Sequence, residues 1–487
     1  MPELSQEEVT AIIRTTKSGS VIAAAGCGKT EQIVRTVKAI SDDPAVSKRC
    51  LILTHTFAGV DVLQKRLRRL DVPASAYRLD TIASWSLRFA AAYPKTSEIN
   101  NINPQSNKDW TAVYPAAEKL IGSHVIDDVI LATYACVFVD EYQDCSEGQH
   151  ALIVELNRLV PVCVFGDPLQ SIFKFDGVVD WYEVVERDFP NVAKLTEPWR
   201  WRNDNANAEL GGRLVELRAQ LEAGEAMDFR VDGKGIRRYR LPKLPGPKSQ
   251  TVSKACFDTI DLEGTLVVVA DSKFEASRAK IAEKLAKQKF AVVEPVSCEP
   301  LRKHSKSIEK ADDEDRLTAV LDFVKLCVVG LRADFQQSVV SHQKGGKKGR
   351  RKFGDLINIG DRVTKPDGLL HVLELVEGIL NRDDIYPYRR ELLRMMLAAL
   401  RTSRATGALL SESAGDIETK SRHLGRHVAR RSVGSTLLLK GLEFEHVIIV
   451  EYDGMTKEDW YVALTRATRS VTVLSSQSQV SWEINDV

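Results

Sequence analysis

Four short apolar runs in the first 170 residues constrain this chain more than any other feature. They are SVIAAAG (20–26), CLILT (50–54), ACVFVD (135–140) and PVCVFGD (161–167), and each stops on Gly, Thr or Asp. A strand with one wet face alternates apolar and polar residues. Runs apolar at every position suit parallel strands covered on both faces. Helical patterns follow, as in DVLQKRLRRL (61–70) and EGQHALIVELNRLV (147–160). Strand runs alternating with amphipathic helices predict a doubly wound α/β domain. The pattern resumes later with TLVVVADS (265–272), a helical KFEASRAKIAEKLAKQ (273–288), FAVVEP (290–295) and FEHVIIVEY (444–452). The fold class is therefore α/β with two parallel-sheet domains. A polar stretch, YPKTSEINNINPQSNKD (93–109), begins a small insertion in the first. Residues 300–430 are charged and irregular and form an insertion in the second. LPKLPGP (241–247) reads as a loop, and no internal repeat is present.

Bulk charge excludes little. Of 487 residues, 68 are basic and 67 acidic, a net charge of +1. Any nucleic-acid surface must therefore be local. No apolar run approaches the ~20 residues that span a bilayer. The N-terminus, MPELSQEEVT, does not have the pattern of a secretory signal. The eight cysteines form no CxxC pair and mostly sit in apolar runs, as expected of buried free thiols in a reducing cytoplasm.

Phosphate chemistry enters at AAAGCGKT, Ala23–Thr30. It lies between an apolar run and an amphipathic pattern, the context in which successive backbone N–H groups and a helix N-terminus cradle phosphate. Ala23, Ala24, Ala25, Gly26, Cys27 and Gly28 form the loop, with Ala23 where the general pattern has glycine. Lys29 is placed to reach the β- and γ-phosphates of ATP, and the Thr30 hydroxyl to ligate Mg²⁺. Amides beside Cys27 are expected to lower its thiol pKa.

Two further strand ends carry charge. VFVDEYQD (137–144) ends in Asp140 and Glu141. Phosphoryl transfer to water needs a carboxylate in the Mg²⁺ shell and a residue acting on the attacking water, roles that suit Asp140 and Glu141 respectively. FGDPLQSIFKFDG (165–177) supplies Gln170, able to sense a γ-phosphate by hydrogen bonding. It also supplies Phe173 and Phe175 around Lys174, a stacking platform for unpaired bases.

In this order, these elements resemble the helicase motifs of the UvrD/Rep/PcrA group of superfamily 1. LILTHTFAGVDVLQKRL (51–67), DTIASWSLRF (80–89), LTEPWRWR (195–202), TLLLKGLEFEHVIIV (436–450) and YVALTRATRSVTVL (461–474) are similar to further motifs of that group. The resemblance implies two RecA-like domains, 1–190 with a small insertion at 94–130, and 191–487 with a reduced insertion at about 300–430. ATP then lies in the cleft between them. It further implies that Trp199 stacks on adenine, that Glu443 bonds the ribose, and that Arg200 and Arg466 reach the γ-phosphate from the far side. His55, Phe57 and Trp85 fall in the family's DNA-contacting segments. Arg200 and Arg466 would be arginine fingers, which matter by roughly 10³–10⁵ in rate.

Departures cluster on the DNA side. His55 replaces an aromatic, Ile82-Ala83 stand where Phe-His is usual, Leu437 replaces a His and Asp176 an Arg. Glu8 occupies the place of the adenine-reading Gln, with Gln6 nearby. Basic runs QKRLRRL (64–70), KGGKKGRRK (344–352) and RHLGRHVARR (422–431) are candidates for phosphate contacts. The small insertions are similar to those of the helicase-like subunit of the Gabija anti-phage system, and of UvrD-like proteins that accompany OLD-family, TOPRIM-containing nucleases. Two functions follow. One is an ATP-driven motor moving 3′ to 5′ on single-stranded DNA. The other is a DNA-sensing regulatory ATPase that controls a partner nuclease without processive unwinding.

Overall fold

The computed structural model describes residues 4–104, 107–173, 177–203, 206–230, 233–295, 298–424 and 428–482. The chain divides into two compact units. One comprises 1–227, 456–468 and 481–487, the other 228–455 and 469–480.

The first unit is built on α1 (Gln6–Thr15), β1 (Ser18–Ala23), α2 (Lys29–Ser41), β2 (Arg49–Thr54), α3 (Phe57–Arg69), β3 (Tyr77–Thr81) and α4 (Ile82–Ala92). After these come α5 (Pro94–Ser97), α6 (Asn107–Gly122), α7 (Asp127–Thr133), β4 (Tyr134–Val139), α8 (Glu147–Leu159), β5 (Val162–Gly166), β6 (Asn191–Leu195) and α9 (Ala208–Glu222). The six strands form one sheet in the order β3-β2-β4-β5-β1-β6, and every pairing is parallel.

Strand period explains the unbroken apolar runs. Leu51, Leu53, Val137, Val139, Val162 and Val164 enter one core. Their alternating neighbours Cys50, Ile52, Cys136, Phe138, Cys163 and Phe165 enter another. Successive side chains point to opposite faces, so a sheet covered on both faces must be apolar at both. The 94–130 insertion is helical. Ala116, Ala117, Leu120 and Ile121 of α6 share a core with Leu152, Ile153 and Leu156 of α8.

This unit extends beyond the expected boundary at 190. β6 is the sheet's edge strand beside β1. Trp201, buried, packs so tightly on α9 that a Cβ at Gly211 would lie 2.5 Å from the Trp201 Cβ. The helix Lys457–Leu464 also belongs here, held by its buried Trp460, Tyr461, Val462 and Leu464.

In the second unit β7 (Ile236–Arg240), β8 (Leu266–Val269), β9 (Ala291–Val292), β10 (Arg431–Gly434), β11 (Phe444–Val450) and β12 (Ala467–Ser475) form a sheet in the order β9-β10-β8-β11-β12-β7. β9–β10, β10–β8, β8–β11 and β12–β7 pair in parallel. Between β9 and β10 the chain makes a mainly helical insertion with its own apolar core, including Leu301, Phe323, Phe335, Val376 and Met396. The charged, irregular composition of 300–430 conceals this order. Among the described residues no helix is long and apolar enough to cross a membrane.

Candidate nucleotide site

β1 delivers the chain to the loop at buried Ala23. The Ala24 amide donates to the Leu195 carbonyl at 3.2 Å and the Cys27 amide to the Ala24 carbonyl at 3.0 Å, closing the turn. Gly26 and Gly28 sit at φ +72° and +85°, conformations that cost other residues strain. At Gly26 space adds a second demand, since a Cβ there would lie 2.6 Å from Trp201 Cζ3. Lys29 then opens α2 with no side-chain cap. The amides of an uncapped first turn have an anion as their natural partner.

The acidic strand end meets this loop. Thr30 Oγ1 donates to Asp140 Oδ2 at 3.1 Å. Lys29 Nζ is buried, 2.7 Å from Glu141 Oε2 and 3.8 Å from Asp140 Oδ1. Burial pushes the Asp140 carboxyl up to about 6, although the Lys29 charge pulls it down. Burial also works to lower the Lys29 ammonium, but the Glu141 and Asp140 charges outweigh it and hold it above its usual value. Glu141 adopts φ +58°, and Gln143 Nε2 donates to its Oε2 at 2.7 Å. A hydroxyl, two carboxylates, a buried ammonium and uncapped helix amides fit a nucleotide phosphate with a hard divalent cation.

Gln170 and the motif arginines gather in the same unit. Gln170 Nε2 donates to Asp167 Oδ2 at 2.9 Å. Its Oε1 accepts from Arg466, 3.2 Å away. Buried Arg466 also donates to the Val462 carbonyl, and Arg200 to the Thr465 carbonyl at 2.6 Å. Trp199 is 42 % exposed beside the loop, where a Cβ at Gly28 would lie 3.3 Å from its Cδ1. Both arginines thus lie in the unit that holds the loop, whereas the resemblance assigns them to the other domain. Glu443 lies in the second unit, exposed just before β11.

Residues 6–176 match the family model of an AAA domain. The loop, Asp140, Glu141 and Gln170 all fall inside that stretch. No curated protein matches the chain. Among solved structures, Pif1 helicase from Candida albicans is similar at 11% identity and a TM-score of 0.41, over 99% of this chain and 98% of that one. An arterivirus nonstructural protein 10 (helicase), solved in complex with DNA, is similar at 8% identity and a TM-score of 0.36, over 98% of this chain. The match covers 64% of the arterivirus protein, less than two thirds of its length.

Two expectations need correction. Trp85 is not a DNA contact: it is fully buried in α4, with Nε1 donating to the Tyr134 hydroxyl at 3.3 Å. Cys27 is not activated, because burial pushes its thiol up to about 12 against the opposing pull of the Arg218 and Arg200 charges. Of the two residues near the place of the adenine-reading Gln, Glu8 closes a capping box with Ser5 at the start of α1, while the Gln6 amide lies 4.0 Å from the Cβ position of Gly28.

The remaining DNA candidates differ in exposure. Phe57 is 40 % exposed at the first residue of α3. His55 is half-buried, Nε2 3.6 Å from Cys145 Sγ, and Phe173 is also half-buried. Phe175, with Lys174 and Asp176, lies outside the described residues. In the 64–70 run, Arg66 and Arg69 pair with Glu31. Of the 422–431 run, the side chains of 422–427 lie outside the description, and Arg430 and Arg431 serve backbone carbonyls. In the 344–352 run Lys344, Lys347, Lys348, Arg350 and Arg351 stand exposed.

Sequence reading passed over Tyr461, Arg218 and the role of Asp167. Tyr461 stood in plain view in YVALTRA. Arg218 lies in ELGGRLVELRAQLE, which reads as an ordinary surface helix, so only the structure reveals it.

Proposed function

We propose that this chain is a Mg²⁺-dependent ATP hydrolase of the superfamily 1 type, whose turnover is coupled to movement on single-stranded DNA, 3′ to 5′. The observation that carries this reading is the convergence of Lys29, Thr30, Asp140 and Glu141 on an uncapped helix start. Lys29 and the α2 amides bind the phosphates, and Thr30 and Asp140 would hold Mg²⁺, which would neutralise charge on the phosphates. Glu141 orients the attacking water and takes its proton. Trp199 offers a face to the base. Gln170 and Arg466 report on the γ-phosphate, and Arg466 and Arg200 counter the charge that spreads over the transferred group.

On the DNA side, exposed Phe57 offers a stacking face, and the cations of 344–352 offer phosphate contacts. Two observations favour the regulatory reading. Trp85 is buried, and Leu437, where the family has a DNA-contacting His, is 43 % exposed without a polar group. An ATPase with a weakened DNA grip fits control of a partner, and the partner suggested by the compact form is an OLD-family nuclease subunit. ATPase rate with and without single-stranded DNA, beside strand displacement on a 3′-tailed duplex, separates the readings. Stimulation with displacement supports the motor, and stimulation without displacement supports the regulator. No hydrolysis by folded protein refutes both.

A further inference from the structure

A buried polar cluster of the first unit bonds to the phosphate loop, and its side chains have no part in the phosphate chemistry assigned above. Its centre is Asp167, fully buried at the end of β5. Arg218 of α9, also buried, donates from one terminal nitrogen to Asp167 Oδ1 at 2.8 Å and to the Tyr461 hydroxyl at 2.6 Å. Its Nε donates to Glu222 at 3.0 Å, and its guanidinium lies 5.1 Å from the centre of the Tyr461 ring. The Tyr461 hydroxyl accepts from the Ala25 amide at 2.9 Å and donates to Asp167 Oδ2 at 3.2 Å. Asp167 Oδ2 also accepts from Gln170 Nε2. That bond fixes which way the Gln170 amide points and presents Oε1 to Arg466.

The bonds form one path: Ala25 amide, Tyr461 hydroxyl, Asp167, Gln170, Arg466. It runs from the phosphate loop to the residues proposed to meet the γ-phosphate. A buried carboxylate without its cation is costly, so the Arg218 pairing holds Asp167 in place. Burial works to lower the Arg218 charge, and the Asp167 and Tyr461 partners more than offset it.

We infer that Arg218, Asp167 and Tyr461 are a positioning unit that locks the phosphate loop to Gln170 and Arg466, so that the two sides of the γ-phosphate site keep one geometry. None of the three needs to touch nucleotide. The inference rests on the proposed ATPase reading and extends it to residues outside the phosphate-binding groups.

The test is steady-state ATP hydrolysis by full-length wild type, Tyr461→Phe and Arg218→Lys, with nucleotide affinity measured separately by a fluorescent ATP analogue and folding by thermal melting. Tyr461→Phe keeps the ring and deletes only the hydroxyl that joins Ala25 to Asp167. The expected result is a fall in kcat of about tenfold or more, with KM and analogue affinity within about twofold of wild type. Arg218→Lys keeps a cation but cannot span Asp167, Tyr461 and Glu222, so a drop in kcat is expected there too. An active wild type with an unchanged kcat in Tyr461→Phe overturns the inference. So does a Tyr461→Phe loss that appears in affinity and kcat alike, which marks a general structural role. An inactive wild type refutes the ATPase reading instead. If Arg218→Lys fails to fold, Tyr461→Phe decides alone.

Discussion

At the scale of single residues, chemistry and burial make opposite demands, and the structure shows which prevails. Lys29 is a buried ammonium held by Glu141 and Asp140. Removing it leaves two carboxylates without their cation and the phosphates without their charge partner. Lys29→Ala is expected to abolish ATP turnover, by at least about a hundredfold, while the protein still melts cooperatively; turnover within a few-fold of wild type contradicts its role. Cys27 goes the other way. With its thiol pushed up to about 12, its thiolate at pH 8 is only about one part in ten thousand. Native protein at pH 8 should resist iodoacetamide at Cys27, with labelling rising only as the pH approaches the thiol's own; fast labelling at neutral pH, read by peptide mass spectrometry, refutes this. Trp85 shows where motif reading misleads. Its position in the segment suggested a contact with DNA, but the indole fills the core. Trp85→Ala is expected to cost about 3–5 kcal/mol in stability, seen as a lowered denaturation midpoint. A variant of unchanged stability that loses only DNA affinity would reverse the assignment.

At the scale of elements, the strand–loop–helix from β1 to α2 was legible because each part has a local cause. An all-apolar run makes a doubly covered strand, two glycines supply positive φ, and the Lys-Thr pair opens the helix. Gly26→Ala tests the close approach. Its Cβ would meet Trp201 Cζ3 at 2.6 Å and Arg200 Cβ at 2.9 Å. We expect a loss of roughly 1–3 kcal/mol together with weaker nucleotide binding, whereas unchanged stability and affinity would show that the loop has slack. The capping boxes at Ser5, Ser146 and Thr456, which sequence reading passed over, have equally local causes. Ser146→Ala should cost about 1 kcal/mol, measured by chemical denaturation. Arg218 had no such local signature. Its partners Asp167 and Tyr461 lie 51 and 243 positions away in sequence, and its helix reads the same with any long polar residue there. Long-range partnership is what composition and periodicity cannot carry.

At the scale of the whole molecule, two α/β sheets follow from apolar runs that return after a polar gap. The division between units does not, because it depends on which sheet an edge strand joins. β6 pairs with β1, and Trp201 and α9 follow it, so the first unit runs to 227 and takes back the helix Lys457–Leu464. The helical order of the second insertion was hidden by its charge, since its apolar residues are spread across several helices that share one core. The exposed cations of 344–352 make a prediction at this scale. Replacing Lys344, Lys347 and Lys348 with Gln should leave stability unchanged and flatten the salt dependence of DNA binding by about two to three units of slope. An unchanged slope would remove that surface from the DNA path. The central claim is that phosphate chemistry in the first unit drives movement on DNA. ATP hydrolysis measured with and without single-stranded DNA, alongside displacement from a 3′-tailed duplex, tests it most directly. DNA-stimulated turnover with strand displacement, both lost in Lys29→Ala, is the expected result; a folded wild-type protein that hydrolyses no ATP under either condition would contradict it.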